Sequence, residues 1–184
     1  MMNRGKTFTV FAVICFVLFL APELRADEFI EAKKLSIVPK SSSSIVSTSK
    51  KAGKGFSWAE FRLVFSSKVE WVDELTVKYF ALVKSAKESS ILSGEITYIN
   101  VPSGKSHMAS LFMHPTAMSK YGQVIAVHCE IWANGQLRDA ADFPSKPAKK
   151  WWDAKPPVKG LLVSKFFTPS AFEVEYDGLA LKTE

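Results

Sequence analysis

The chain has 184 residues, 24 basic and 18 acidic side chains, 47% hydrophobic content and 12% aromatics. That aromatic load, with many β-branched runs, excludes a disordered tail or a coiled coil, and the length suits one domain with an arm. A net charge of +6 favours contact with anionic surfaces but falls short of a nucleic-acid-binding balance, so no nucleic-acid partner is expected.

The first segment has the layout of an export signal. Arg4 and Lys6 precede an almost wholly apolar run from Phe8 to Leu20, and Leu24-Arg25-Ala26 places a small residue before a cut. The run is shorter than the roughly 20 residues of a membrane-spanning helix, and Pro22 closes it. Cys15 follows Ile14, not the small residue of a lipoprotein signal. Val10 stands where a type IV prepilin has glutamate. Residues 1–26 are therefore read as a signal peptide, with the protein expected in the periplasm, at the outer membrane or outside the cell. Cleavage there leaves 158 residues with a net charge of about +4, counted from the sequence. Cys129 is then the sole cysteine, so no internal disulfide can form.

Residues 27–39 form an N-terminal arm. Within it the stretch 29–38, Phe-Ile-Glu-Ala-Lys-Lys-Leu-Ser-Ile-Val, reads as a strand ended by Pro39. Residues 40–55 are nearly all Ser, Lys, Thr, Gly and Ala and read as a linker. A β domain occupies 56–184. Ala59, Phe61, Leu63 and Phe65 share a face and alternate with Glu60 and Arg62; Leu75, Val77, Tyr79, Ala81 and Val83 repeat the pattern. A third run, Ile91 to Val101, holds Gly94, which marks a bulge or a tight approach. A fourth spans 107–113 and stops at Pro115. Residues 123–133, with Ile125, Val127, Cys129 and Ile131 on one face, lead into Asn134-Gly135, the signature of a two-residue hairpin. Two last strands are expected at 161–167 and 172–176. Seven to eight short strands without a long amphipathic helix predict an all-β fold, an antiparallel immunoglobulin-like β-sandwich.

The motif search supplies no chemistry. His107, His114 and His128 show no zinc-ligand spacing and read as satisfied surface residues; Cys129, on an apolar face, reads as a buried thiol. Gly104-Lys105-Ser106 ends like a P-loop, but Ile99 stands where that motif starts with glycine, so it reads as a turn. No Gly-x-Ser-x-Gly elbow occurs. Asp73-Glu74 and Asp139 with Asp142 are the nearest approach to paired carboxylates, and solvation at turns or strand edges accounts for them. The reading is of a protein that is not an enzyme, with no catalytic residue, cofactor or metal.

The most unusual segment is Lys146 to Pro157, with Lys149, Lys150, Trp151 and Trp152 as candidate binding residues. Exposed aromatics beside lysines stack on sugar rings or grip an anionic partner. The alternative is that one tryptophan plugs the end of the sandwich.

The run Trp71 to Phe80 resembles a segment of the exported pilus-like proteins of Verrucomicrobia, the Akkermansia type. So do Leu92 to Val101, the strand from His107 to Pro115, Tyr121-Gly122 and Trp151-Trp152. The resemblance covers roughly 56–180. It implies an immunoglobulin-like sandwich in a pilus or outer-membrane assembly, with no catalytic residues to carry over. The expected function is a non-catalytic component of a cell-envelope assembly that contacts envelope or pilus-associated proteins, or further copies of itself. An edge strand would accept a partner strand by β-augmentation, or the arm at 29–38 would be donated to a neighbour. A secreted module binding anionic glycan through the Trp/Lys loop is the alternative.

Overall fold

The computed structural model describes residues 30–41, 57–145, 150–160, 162–164 and 180–181. The leader, most of the Ser-rich linker and the expected strand at 172–176 lie outside the described residues. Among the described residues eight strands form: β1 (Ile30–Ser41), β2 (Ser57–Lys84), β3 (Ser89–Met113), β4 (Gln123–Ala133), β5 (Gln136–Phe143), β6 (Val158–Lys159), β7 (Leu162–Val163) and β8 (Ala180–Leu181). One short helix, α1 (Pro115–Tyr121), separates β3 from β4. Among the described residues, no helix is long and apolar enough to cross a membrane.

The antiparallel β-sandwich expected from the alternation is the fold observed. Its construction differs from a stack of short strands. The runs at 56–65 and 74–84 are two ends of β2, and those at 91–101 and 107–113 are two ends of β3. This long hairpin bends where the β2–β3 register shifts twice, between Phe65 and Trp71. Such bulges add local twist and let one strand serve two layers. The first layer contains β1, the start of β2, the end of β3 and β7; the second contains the end of β2, the start of β3, β4 and β5. Gly104-Lys105-Ser106 is thus not a turn but the bent part of β3.

His107 locks that bend and is buried, not a surface histidine. Its Nε2 lies 3.0 Å from the Pro102 carbonyl, and its ring packs on Phe65. Pro39 does not end β1, which continues to Ser41 with Pro39 opposite Ala59. A proline is tolerated there because β1 is an edge strand, which need not donate on its outer side. The arm pairs with β2 of its own chain from Ile30↔Ser67 to Ser41↔Ser57.

The inner faces merge into one core. Phe61, Leu63 and Phe65 meet Leu75, Val77, Tyr79, Leu92, Leu111, Cys129 and Ile131. Tyr79 donates its hydroxyl across the sandwich to the Ala109 carbonyl at 2.8 Å, so its one polar atom is satisfied. Gly94 is a tight approach, not a bulge: it stays in register with Tyr79, and a Cβ there would sit 2.8 Å from Leu162 Cβ. Asn134 and Gly135 take φ of 52° and 74°, as the two-residue hairpin requires. Ile125 leaves the predicted core face because the β2–β4 register skips it between Ala126 and Val124, and Val124 packs on the core instead. Glu60 is fully buried, although the alternation placed it on an open face. Both its oxygens take the Arg62 guanidinium at 3.0 Å, and Ser110 adds a bond of 2.9 Å. Pairing of this kind is what a buried carboxylate needs.

Candidate interaction surface

The outward positions of the second layer follow from strand parity. With Leu75, Val77 and Tyr79 inward, Thr76, Lys78 and Phe80 point out, and the register sets them beside Trp132, Glu130 and His128 of β4. The next strand places Leu137 opposite Trp132 and Asp142 opposite His128. A flat face results, with charged and aromatic side chains in rows. Lys78 Nζ sits 4.3 Å from the centre of the Trp132 ring, whose Nε1 donates to Glu130 at 2.8 Å. Thr76 and Thr97 share a hydrogen bond of 2.9 Å.

Residues 150–159 cross this face as a strap. Trp151–Asp153 form a single 3-10 turn, Lys155 donates to the Ser89 carbonyl, and Val158 and Lys159 pair in parallel with Leu92 and Ser93 of β3. The anchor is Trp152, whose ring stacks on His128 at 3.5 Å with planes 5° apart; Trp151 meets Trp152 edge-on at 5.6 Å. His128 is consequently buried, not a surface histidine. Its Nδ1 is 2.8 Å from Asp142 and its Nε2 is 3.6 Å from Glu130, so each ring nitrogen faces a carboxylate.

Of the four candidate residues, Lys149 lies outside the described residues and Lys150 is exposed at the start of the turn. Trp151 and Trp152 are half-buried, held against the outer face of a layer and not plugging an end of the sandwich. One face of Trp152 is taken by His128. The neighbours Phe80, His128, Trp132, Leu137 and Asp142 were not among the candidates from the sequence. The alternation His128, Glu130, Trp132 was the available signal for two of these five.

The imidazole of His128 is buried under the Trp152 indole, with Nδ1 at 2.8 Å from Asp142 and Nε2 at 3.6 Å from Glu130. Cys129, one residue away on the opposite face, is fully buried as expected. Burial, and then the charges of Asp142 and Glu130, pushes its thiol well above the ordinary range, the opposite of an activated nucleophile. Among the described residues, no three His, Cys, Asp or Glu side chains are gathered as a metal site. Exposed apolar groups border the network, with Leu137 50% and Val158 37% accessible.

The edges of the sheet are less inviting than the face. Strand β1 is bulged at Lys33, where its register shifts between Ala32 and Lys34, and Pro144 follows β5 directly. The two edges are tied together by the Ala32 amide, which donates to Asp139 at 2.7 Å. Bulges, lysines and proline are the usual means of stopping strand addition.

A search among curated proteins finds no match. Among solved structures, the chain is similar to a crystal structure from Akkermansia muciniphila, with a TM-score of 0.65 and 22% identity over 85% of this chain and 94% of that one. That likeness shows the shared fold. A family model matches residues 23–178, nearly the whole length. The chain belongs to the Akkermansia-type family of pilus-like proteins.

Proposed function

We propose that the protein is an exported, non-catalytic, pilus-related component of the cell envelope that works by contact with other envelope proteins through the strapped outer face of its second layer. Family membership supports the pilus-related part of this reading. The observation that carries the rest is the gathering of Leu137, Trp132, Phe80, Trp151 and Trp152 on one sheet face outside the core. Aromatic anchors fixed by their neighbours lose little freedom on binding, and such residues dominate the energy of protein interfaces. The charges around them, Glu130, Lys78 and Glu95, set register and partner choice more than affinity. The blunted edges at Lys33 and Pro144 favour face-to-face contact over β-augmentation, and the arm closes its own chain's layer instead of standing free for donation.

The test is to replace Leu137 with Asp and to isolate the protein from membranes of cells that carry it. The expected result is a folded variant that no longer travels with its envelope complex. A variant that stays associated as the parent does would overturn the reading. Recovery of polysaccharide in place of protein partners would favour the glycan-binding alternative.

A further inference from the structure

We propose that the cavity beside α1 is a binding site for a small apolar carboxylate. It lies beside α1 in the first layer, where Gly160, the residue after the strap, also lines it, and has a volume of about 320 Å³. Trp58 from β2, Tyr121 from α1 and Val163 from β7 give it apolar walls, and His114, Thr116 and Lys120 supply its polar groups. A pocket with aromatic walls and a few convergent polar groups is the usual form of a small-molecule site.

Among these polar groups Lys120 carries the charge, and its Nζ lies 5.1 Å from the centre of the Tyr121 ring. Lys120 is a cation with donors only. His114 accepts the Thr116 amide at Nδ1, at 3.0 Å, so its neutral ring carries the proton on Nε2 and offers a donor there. Trp58 holds that ring edge-on at 4.5 Å, which fixes its orientation. Thr116 adds a hydroxyl, and no carboxylate lines the cavity among the described residues. An acceptor with negative charge completes this set, whereas an amine would bring a second cation beside Lys120. At about 320 Å³ the cavity lies at the small end of the range for small-molecule sites, which suits a compact acid. The ligand chemistry is thus an aromatic or branched apolar group bearing one carboxylate, whether a free acid or the last residue of a peptide.

The test titrates the full-length protein with phenylacetate, phenethylamine and phenethyl alcohol, read by amide and indole NMR shifts. A parallel arm uses a short peptide ending in phenylalanine, as the free acid and as the amide. The expected result is saturable binding of phenylacetate with shifts around Trp58 and Tyr121, weakened about tenfold or more by Lys120→Met. Thr116→Trp, which adds bulk at an exposed position of the rim, should abolish it. Free-acid peptide binding with no response to its amide would identify the peptide end as the source; phenylacetate alone would identify a free acid. Equal binding of acid and amine, binding that survives both variants, or no saturable shift from any of these acids would overturn the proposal. Neither Leu137 nor Trp152 lines the cavity, so the two readings fail separately.

Discussion

The two faces of the second layer are made from the same strands yet obey different rules. Inward, β2 offers Leu75, Val77, Tyr79, Ala81 and Val83, all fully buried, with a single polar atom that finds a carbonyl across the sandwich. Outward, one residue along, Lys78 and Phe80 join His128, Glu130, Trp132 and Asp142 in a network of specific pairs closed by the Trp152 stack. The inner face needs only volume and apolarity, because burial of apolar surface has no direction. The outer face needs particular donors opposite particular acceptors and rings in particular planes. The first kind of order makes a fold, and the second holds a surface in one shape.

Substitutions should separate the faces. Leu75→Ala, at a fully buried position, should destabilise the whole domain by about 2–5 kcal/mol, read as a shift of the entire unfolding transition. Gly94→Val should follow, at about 1–3 kcal/mol or more, because its side chain would overlap Leu162 and Leu111. His128→Gln should cost less, about 1–2 kcal/mol, because the lost stack and the altered Asp142 contact lie outside the core. Its signature should be local, namely altered tryptophan fluorescence and faster proteolysis between Phe143 and Val158 while the core transition persists. A collapse as large as that of Leu75→Ala would erase the distinction between the faces. Leu137→Asp, on an exposed side chain, should change stability by less than about 0.5 kcal/mol.

A pH scan probes the inner face. Burial raises the Tyr79 hydroxyl and the Cys129 thiol above their ordinary values. The unfolded chain loses those protons first as pH rises, so it binds fewer protons than the native state and stability falls. The decline should begin above about pH 8.5 for the thiol and steepen above about pH 10, with up to about 1.4 kcal/mol per pH unit from each group. Cys129→Ser in parallel should remove the earlier phase, and an early phase that persists would place the loss elsewhere. Native protein should also resist thiol alkylation at neutral pH, with labelling complete only after unfolding.

The sequence was informative where local rules suffice. Period-two alternation identified Phe61, Leu63, Tyr79 and Ile131 as core, and Asn134-Gly135 placed the hairpin, because each depends only on neighbours along the chain. It was silent where a bulge resets the register. A regular two-residue hairpin would set His128 opposite Ala141; the shift between Ile131 and Trp132 sets it opposite Asp142 instead, and the network depends on that step. The skipped Ile125 and the merging of four predicted runs into β2 and β3 have the same cause. The Trp151-Trp152 segment stands out in the sequence, but its place on the sheet does not. Its stacking partner lies 24 positions earlier in the chain, on a strand whose pairing no local pattern specifies.

The most direct test of the account is site-specific photo-crosslinking in intact cells. A photoreactive residue is placed at position 137, on the strapped face, and in a second strain at position 88, in the exposed connection between β2 and β3. The account predicts a discrete crosslinked envelope protein from position 137 and none from position 88. Equal crosslinking from both positions, or none from position 137 in protein shown to be folded, would contradict it.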